Sequence, residues 1–218
     1  MKKLNRKFEE FIFDKIKNLK NPTILEFGVQ RGYSTKRFLD LINKRGGKLY
    51  SIDIDDCSKI SKNKKWKFIQ SRDDNFKFIE KNIPKKVDVI YLDSLHEVNH
   101  VEKMIYHYYK ILNKEGFFFI DDICWLPYVK KSWRQNSYAE RNNYETFQNL
   151  LKIFYANYKN FNLEFTFVES GYALLRKLND NKIELPKKIP VFPLGNFIIF
   201  PHTTVPLNIF EPRYVEMI

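Results

Sequence analysis

Apolar residues recur along this chain at two spacings, one helical and one of short unbroken runs. Leu4, Phe8, Phe11, Ile12, Ile16 and Leu19 follow the helical period, which predicts an amphipathic first helix that stops before Asn21-Pro22. Short apolar runs at 23–27, 49–54, 66–70, 87–92 and 117–120 read as strands, and helical patterns at 34–43, 74–82 and 97–112 lie between them. Such alternation implies right-handed crossovers and a parallel sheet with helices on both faces. A helical pattern returns at 143–158. Two more strands, 163–168 and 173–176, are then separated by so short a link that they must form an antiparallel hairpin. The fold class predicted is α/β: a doubly wound, Rossmann-like, seven-stranded, mostly parallel sheet with an antiparallel C-terminal hairpin.

Composition narrows the class further. With 44% hydrophobic and 17% aromatic residues the chain has ample core material, which excludes wholesale disorder. A formal net charge of +12 would suit a polyanionic partner. Its carriers are scattered, however: Lys62, Lys64, Lys65 and Lys67 surround a strand start, while Lys85, Lys86, Lys187 and Lys188 fall in predicted loops. Nucleic acid is therefore not the expected partner. Cys57 and Cys124 form neither a CxxC motif nor a disulfide framework, which fits a reducing compartment. Charged residues such as Glu9, Glu10, Asp14 and Lys15 interrupt every apolar run, so no signal-peptide core or membrane span can be drawn, and a cytoplasmic protein is expected. A homo-oligomer is left open.

The candidate chemistry sits at strand ends. Ile24-Leu-Glu-Phe-Gly-Val-Gln-Arg-Gly-Tyr-Ser-Thr35 runs from a strand through a glycine-bearing turn into a helix. Gly28 and Gly32 would let a ligand approach the backbone, and Ser34 or Thr35 could cap the helix. The GxxxG spacing is not the GxGxxG of nicotinamide sites. The next strand ends at Asp53, about twenty-five residues beyond Gly28, where a carboxylate can accept both hydroxyls of a ribose; Asp55 is the alternative if the strand ends later. Two further buried strands end in Asp93 and in the pair Asp121-Asp122, which would gather three carboxylates at the sheet's switch point. Either all three face the site, or Asp93 does so while Asp121 or Asp122 caps the following turn.

Glu26-x-Gly28-x-x-x-Gly32, with Asp53, resembles motif I and the second strand of class I S-adenosylmethionine-dependent methyltransferases, over residues 1–178. The strands ending at Asp93 and Asp121 are similar to a subgroup that includes small-molecule O-methyltransferases and cephalosporin-hydroxylase-like proteins. The resemblance implies S-adenosyl-L-methionine held by Glu26, Gly28, Gly32, Ser34, Asp53 and Asp93. Ser71 or Asp73 would serve at the adenine, since Arg72 stands where the family's usual carboxylate is expected. It also implies a methyl acceptor, expected to be a hydroxyl, with Asp93 and His96 in acid–base or metal roles. In some members the equivalent acidic residues hold a divalent cation, here Asp93, Asp121 and Asp122 with Mg2+. Residues 125–144, aromatic and basic, would form a lid and acceptor wall.

Two features point elsewhere. His96-Glu-Val-Asn-His100 formally matches the HExxH signature of zinc proteases, but it begins three residues after a strand, and Val101, Met104, Ile105, Tyr108 and Leu112 explain the segment as a packed crossover helix. Residues 179–188 read as a polar linker. Beyond it 189–218, from Ile189-Pro-Val-Phe-Pro to Phe210-Glu-Pro-Arg-Tyr214, closely resembles the opening of the Lon protease N-terminal, substrate-binding type of domain. About thirty residues bury too little apolar area to fold alone, so an incomplete β-rich fragment is expected. Two rival readings stand beside the methyltransferase of small molecules: a non-catalytic module whose tail recruits a protein, and a nucleic-acid methyltransferase, suggested only by the charge.

Overall fold

The computed structural model describes residues 8–125 and 137–184. The strands are β1 (Thr23–Phe27), β2 (Lys48–Asp53), β3 (Trp66–Gln70), β4 (Val87–Leu92), β5 (Leu112–Asp121), β6 (Phe161–Thr166) and β7 (Tyr172–Lys177). They form one sheet in the order β3-β2-β1-β4-β5-β7-β6. The first five pair in parallel, and β7 runs antiparallel to both β5 and β6. The α/β class and the C-terminal hairpin are as the periodicity predicts. Two strands depart from their expected bounds by more than one residue: β6 lies two residues earlier than 163–168, and β5 begins five residues before its apolar run, because Leu112 already pairs with Val87 before the ladder shifts register.

Alternate residues of each strand feed two separate cores. Leu25, Phe27, Ile90, Leu92, Phe118 and Ile120 pack on one face under Val101, Met104 and Ile105, with Leu150 and Ile153 beside them. Those helical residues belong to α4 (Val98–Tyr108) and α5 (Ser137–Asn157), and α3 (Phe76–Asn82) adds Ile79. Ile24, Leu49, Val89, Tyr91 and Phe119 line the other face, covered by Phe38, Leu41 and Ile42 of α2 (Tyr33–Arg45) and by Phe8, Ile12 and Ile16. The expected first helix is described only from Phe8, and there it is π-helical over Phe8–Phe13 before a short α1 (Asp14–Ile16). Its residues 1–7 lie outside the described residues, as do 126–136 of the expected lid and the whole Lon-like segment.

The register places the chemistry. Phe27 stands beside Ile52 and Leu92, and Leu92 beside Ile120, so the residues that follow (Gly28, Asp53, Asp93 and Asp121) all emerge at one carboxyl edge. The connection from β1 leads through α2 to β2 on one side, and β4 lies on the other, which makes the β1/β4 boundary the switch point where such sheets open a crevice. No described helix is long and apolar enough to cross a membrane. The chain stays fixed to the domain as far as Glu184: Asn157 Oδ1 accepts the Glu184 N–H at 2.6 Å, and Asn160 Nδ2 donates to the Lys182 carbonyl at 3.3 Å.

Candidate active site

A cleft of about 990 Å3 opens at this edge. Its floor is the turn after β1. Gly28 donates to the Ile52 carbonyl at 2.9 Å and has φ +90°, and a Cβ there would lie 1.8 Å from the Asp93 carbonyl oxygen. A Cβ on Gly32, at φ +72°, would strike the Ile60 side chain. Both glycines are thus required by the protein's own backbone turn and packing, before any ligand arrives. Gly28 lines the cleft and Gly32 does not.

Asp53 closes the turn from β2. Its Oδ2 accepts from the N–H groups of Val29 (2.7 Å) and Gln30 (2.9 Å), and its Oδ1 from Asp55 (3.0 Å). Partial burial alone would raise its pKa, but the backbone donors of Gln30, Asp55 and Val29 outweigh it and hold the carboxylate below its ordinary range. Asp53 lines the cleft, and Asp55 does not.

Glu26 lies beneath the turn, fully buried and away from the cleft. It accepts from Ser34 Oγ, from Thr35 Oγ1 at 2.8 Å and from Ser51 Oγ at 2.6 Å. Burial pushes its pKa up to about 7 although the three hydroxyls pull it down. Ser34 and Thr35, expected as helix caps, are spent on this carboxylate; α2 begins after Gly32 with no side-chain cap. Of the pair only Ser34 borders the cleft.

Beyond Asp53 the wall is Ser71, Arg72 and Asp73. The Ser71 hydroxyl turns to the Arg72 carbonyl at 3.0 Å, and Arg72 pairs with Asp74 at 3.0 and 3.2 Å. Asp73 Oδ2 accepts from Ser94 Oγ and lies 2.8 Å from His100 Nε2. Burial raises its pKa, yet the His100 and Ser94 hydrogen bonds prevail and lower it.

The opposite wall gathers Asp93, Asp121, Asp122 and His96. The buried Tyr91 hydroxyl lies 3.1 Å from Asp93 Oδ2 and 3.2 Å from Asp121 Oδ2, tying neighbouring strand ends together. Burial, with the charges of Asp121 and Asp93, keeps that phenol well above its ordinary pKa. Asp121 Oδ1 also accepts from Ser170 Oγ and from the N–H of Asp122, whose φ is +57°. His96 Nε2 stands between two carboxylates, 3.6 Å from Asp93 Oδ1 and 3.7 Å from Asp122 Oδ2. The two histidines of the HExxH match go to different carboxylates, and α4 begins only at Val98, inside the motif. Among the described residues no group of three or more His, Cys, Asp or Glu is arranged to hold a metal ion.

Tyr91, Ser94, His100, Ser170 and Tyr172 line the cleft without having been singled out for it from the sequence. Tyr91 reads there as one more core position of a buried strand, and only its place two residues before Asp93, on the same side of the strand, could have signalled its hydroxyl.

The fold is the Rossmann-like fold of methyltransferases, a mostly parallel seven-stranded sheet closed by an antiparallel hairpin. Residues 25–123, just under half of the chain, match a family model described as a methyltransferase domain. Among solved structures the chain is similar to the MycE methyltransferase of the mycinamycin biosynthetic pathway, solved with Mg and SAH, at 17% identity and a TM-score of 0.61. That match covers 83% of this chain and 52% of MycE, so the chain spans about half the length of that relative. A putative caffeoyl-CoA O-methyltransferase from Staphylococcus aureus gives 16% and 0.59, covering 80% of this chain and 83% of that one. The SAH-bound Podospora anserina methyltransferase PaMTH1 gives 14% and 0.56, with 72% of each chain covered. No curated protein matches the chain by sequence.

Proposed function

We propose that this chain transfers the methyl group of S-adenosyl-L-methionine to a hydroxyl of a small-molecule acceptor. The observation that carries the reading is the placement of the Gly28 turn, Asp53 and His96 around one cleft. Bound there, S-adenosylmethionine supplies a methyl carbon made electrophilic by its sulfonium. Asp53 would accept ribose hydroxyls, and Ser71 or Asp73 would meet the base. His96 takes the acceptor's hydroxyl proton on Nε2, and Asp93 and Asp122 stabilise the imidazolium that forms. The walls hold the acceptor oxygen in line with the methyl, which is where most of the rate gain in such a displacement arises. Asp53, Asp73, Asp93, Asp121, Asp122 and Glu169 line the cleft against Arg31 and Arg72, a balance that disfavours a phosphate backbone as acceptor.

Calorimetry on the whole chain tests the reading. S-adenosylhomocysteine should bind, and Asp53→Ala should weaken it by about 1.5–3 kcal/mol, as for hydrogen bonds to a charged group. A folded chain that takes up neither S-adenosylmethionine nor S-adenosylhomocysteine overturns the assignment and favours the non-catalytic module.

A magnesium-assisted version is the second reading, favoured by three carboxylates on one wall. Oxygen donors select magnesium or manganese over zinc, and such an ion would lower the pKa of the acceptor hydroxyl. Asp93 and Asp121 both meet the Tyr91 hydroxyl, so a shared cation would have to displace it, and Asp122 would have to turn away from His96. Mn2+ binding followed by electron paramagnetic resonance, with S-adenosylhomocysteine present, should be lost in Asp121→Asn. Absence of any Mn2+ signal from the unmodified protein leaves proton removal to His96 alone.

A further inference from the structure

We infer that His100 is a positioning residue that fixes Asp73 as the acceptor by which the cleft selects an amino-bearing purine; the inference rests on the cofactor reading above. Asp73 is held at three points by the segment that follows β4. Ser94 Oγ and His100 Nε2 both meet Oδ2, and the Tyr108 hydroxyl donates to the Asp73 backbone carbonyl at 3.0 Å. The His100 and Asp73 side chains are only 7% and 13% exposed, so the clamp is shielded from competing water. The clamp ties the loop after β3 to the segment after β4, although β1 and β2 separate the two strands in the sheet.

The clamp leaves Oδ1 as the side of the carboxylate with capacity for a ligand, since both described donors go to Oδ2. A nucleoside whose ribose meets Asp53 at the end of β2 extends its base over the end of β3, where Asp73 lines the cleft. There a fixed carboxylate accepts a hydrogen bond from an exocyclic amino group and repels an oxo group at the same ring position. Sites built to pair one polar group reject the mismatched analogue strongly, but only while the protein group cannot turn away. His100 prevents that turning.

The test compares S-adenosylhomocysteine with S-inosylhomocysteine, which differ at that single group, by calorimetry on the whole chain. The unmodified protein should prefer the adenosyl compound by about tenfold or more, the scale of a charged hydrogen bond gained or lost. His100→Ala should reduce the preference to about threefold or less, mostly by weakening the adenosyl compound. His100→Gln, which can place an N–H near the Nε2 position, should restore most of it. If His100→Ala does not fold, Ser94→Ala removes the other donor and should give an intermediate ratio. An unchanged ratio in His100→Ala, an equal loss for both ligands, or no preference in the unmodified protein overturns the proposal while leaving the methyltransferase reading standing. No binding of either ligand by the unmodified protein removes both.

Discussion

At Gly28 a side chain is forbidden twice, by φ +90° and by the Asp93 carbonyl 1.8 Å from where a Cβ would stand. Gly28→Ala should therefore destabilise the fold by about 3 kcal/mol or more, since backbone strain adds to a clash that only backbone movement relieves. A lowered denaturant midpoint with an unchanged slope would show it; a fully stable variant would contradict the geometry. Glu26 makes a second residue-scale prediction. With a native pKa of about 7, it keeps its proton where the unfolded chain, titrating near 4.5, has released one. Its contribution to stability is thus largest below pH 4.5 and falls as pH rises to 7, at up to about 1.4 kcal/mol per pH unit. Asp53 and Asp73, with lowered values, act in the opposite sense: their stabilisation is present above pH 4 and lost below it. Glu26→Gln should flatten the slope between pH 5 and 7 in denaturation series and leave the acid limb in place.

Between elements, the C-terminal strand is locked to the parallel sheet by a buried cation. Lys177 of β7 is 2% exposed, donates to the Leu112 carbonyl at the start of β5 at 2.7 Å, and reaches Asp180 at 3.1 Å. Its ammonium also lies 4.9 Å from the Tyr109 ring centre. Lys177→Met keeps the apolar stem but leaves Leu112 without this donor, which should cost about 1–3 kcal/mol. Hydrogen exchange should then quicken first in β6 and β7, the edge of the sheet. Uniform quickening throughout would show that the hairpin does not open separately.

For the whole domain the informative boundary is its end. Composition places a linker from 179, yet Asn157 and Asn160, both buried, find partners in Lys182 and Glu184. Cutting the chain after Leu178 removes the bonds to Lys182 and Glu184 and leaves Asn157 and Asn160 only their partners Ile153 and each other, at a cost of about 1–3 kcal/mol, whereas cutting after Glu184 keeps them all. Residues 1–184 should bind S-adenosylhomocysteine as the whole chain does, and residues 1–178 should melt several degrees lower. Equal melting temperatures for the two would show that the 179–184 contacts contribute nothing.

The sequence by itself determined the sheet: apolar runs of strand length alternating with helical periods leave few topologies, and the carboxylates at the ends of β2, β4 and β5 follow from where those runs stop. Tertiary structure alone decided what each polar residue does. Glu26 and Asp53 occupy equally suggestive positions, yet one is buried under α2 among three hydroxyls while the other borders the cleft, because the burial of a strand end depends on the helix laid over it. His96 and His100 read as one motif four residues apart, but the turn into α4 falls between them and sends them to Asp93 and Asp73, which follow different strands. Contacts of that kind join residues far apart in the chain, through distances that periodicity cannot encode.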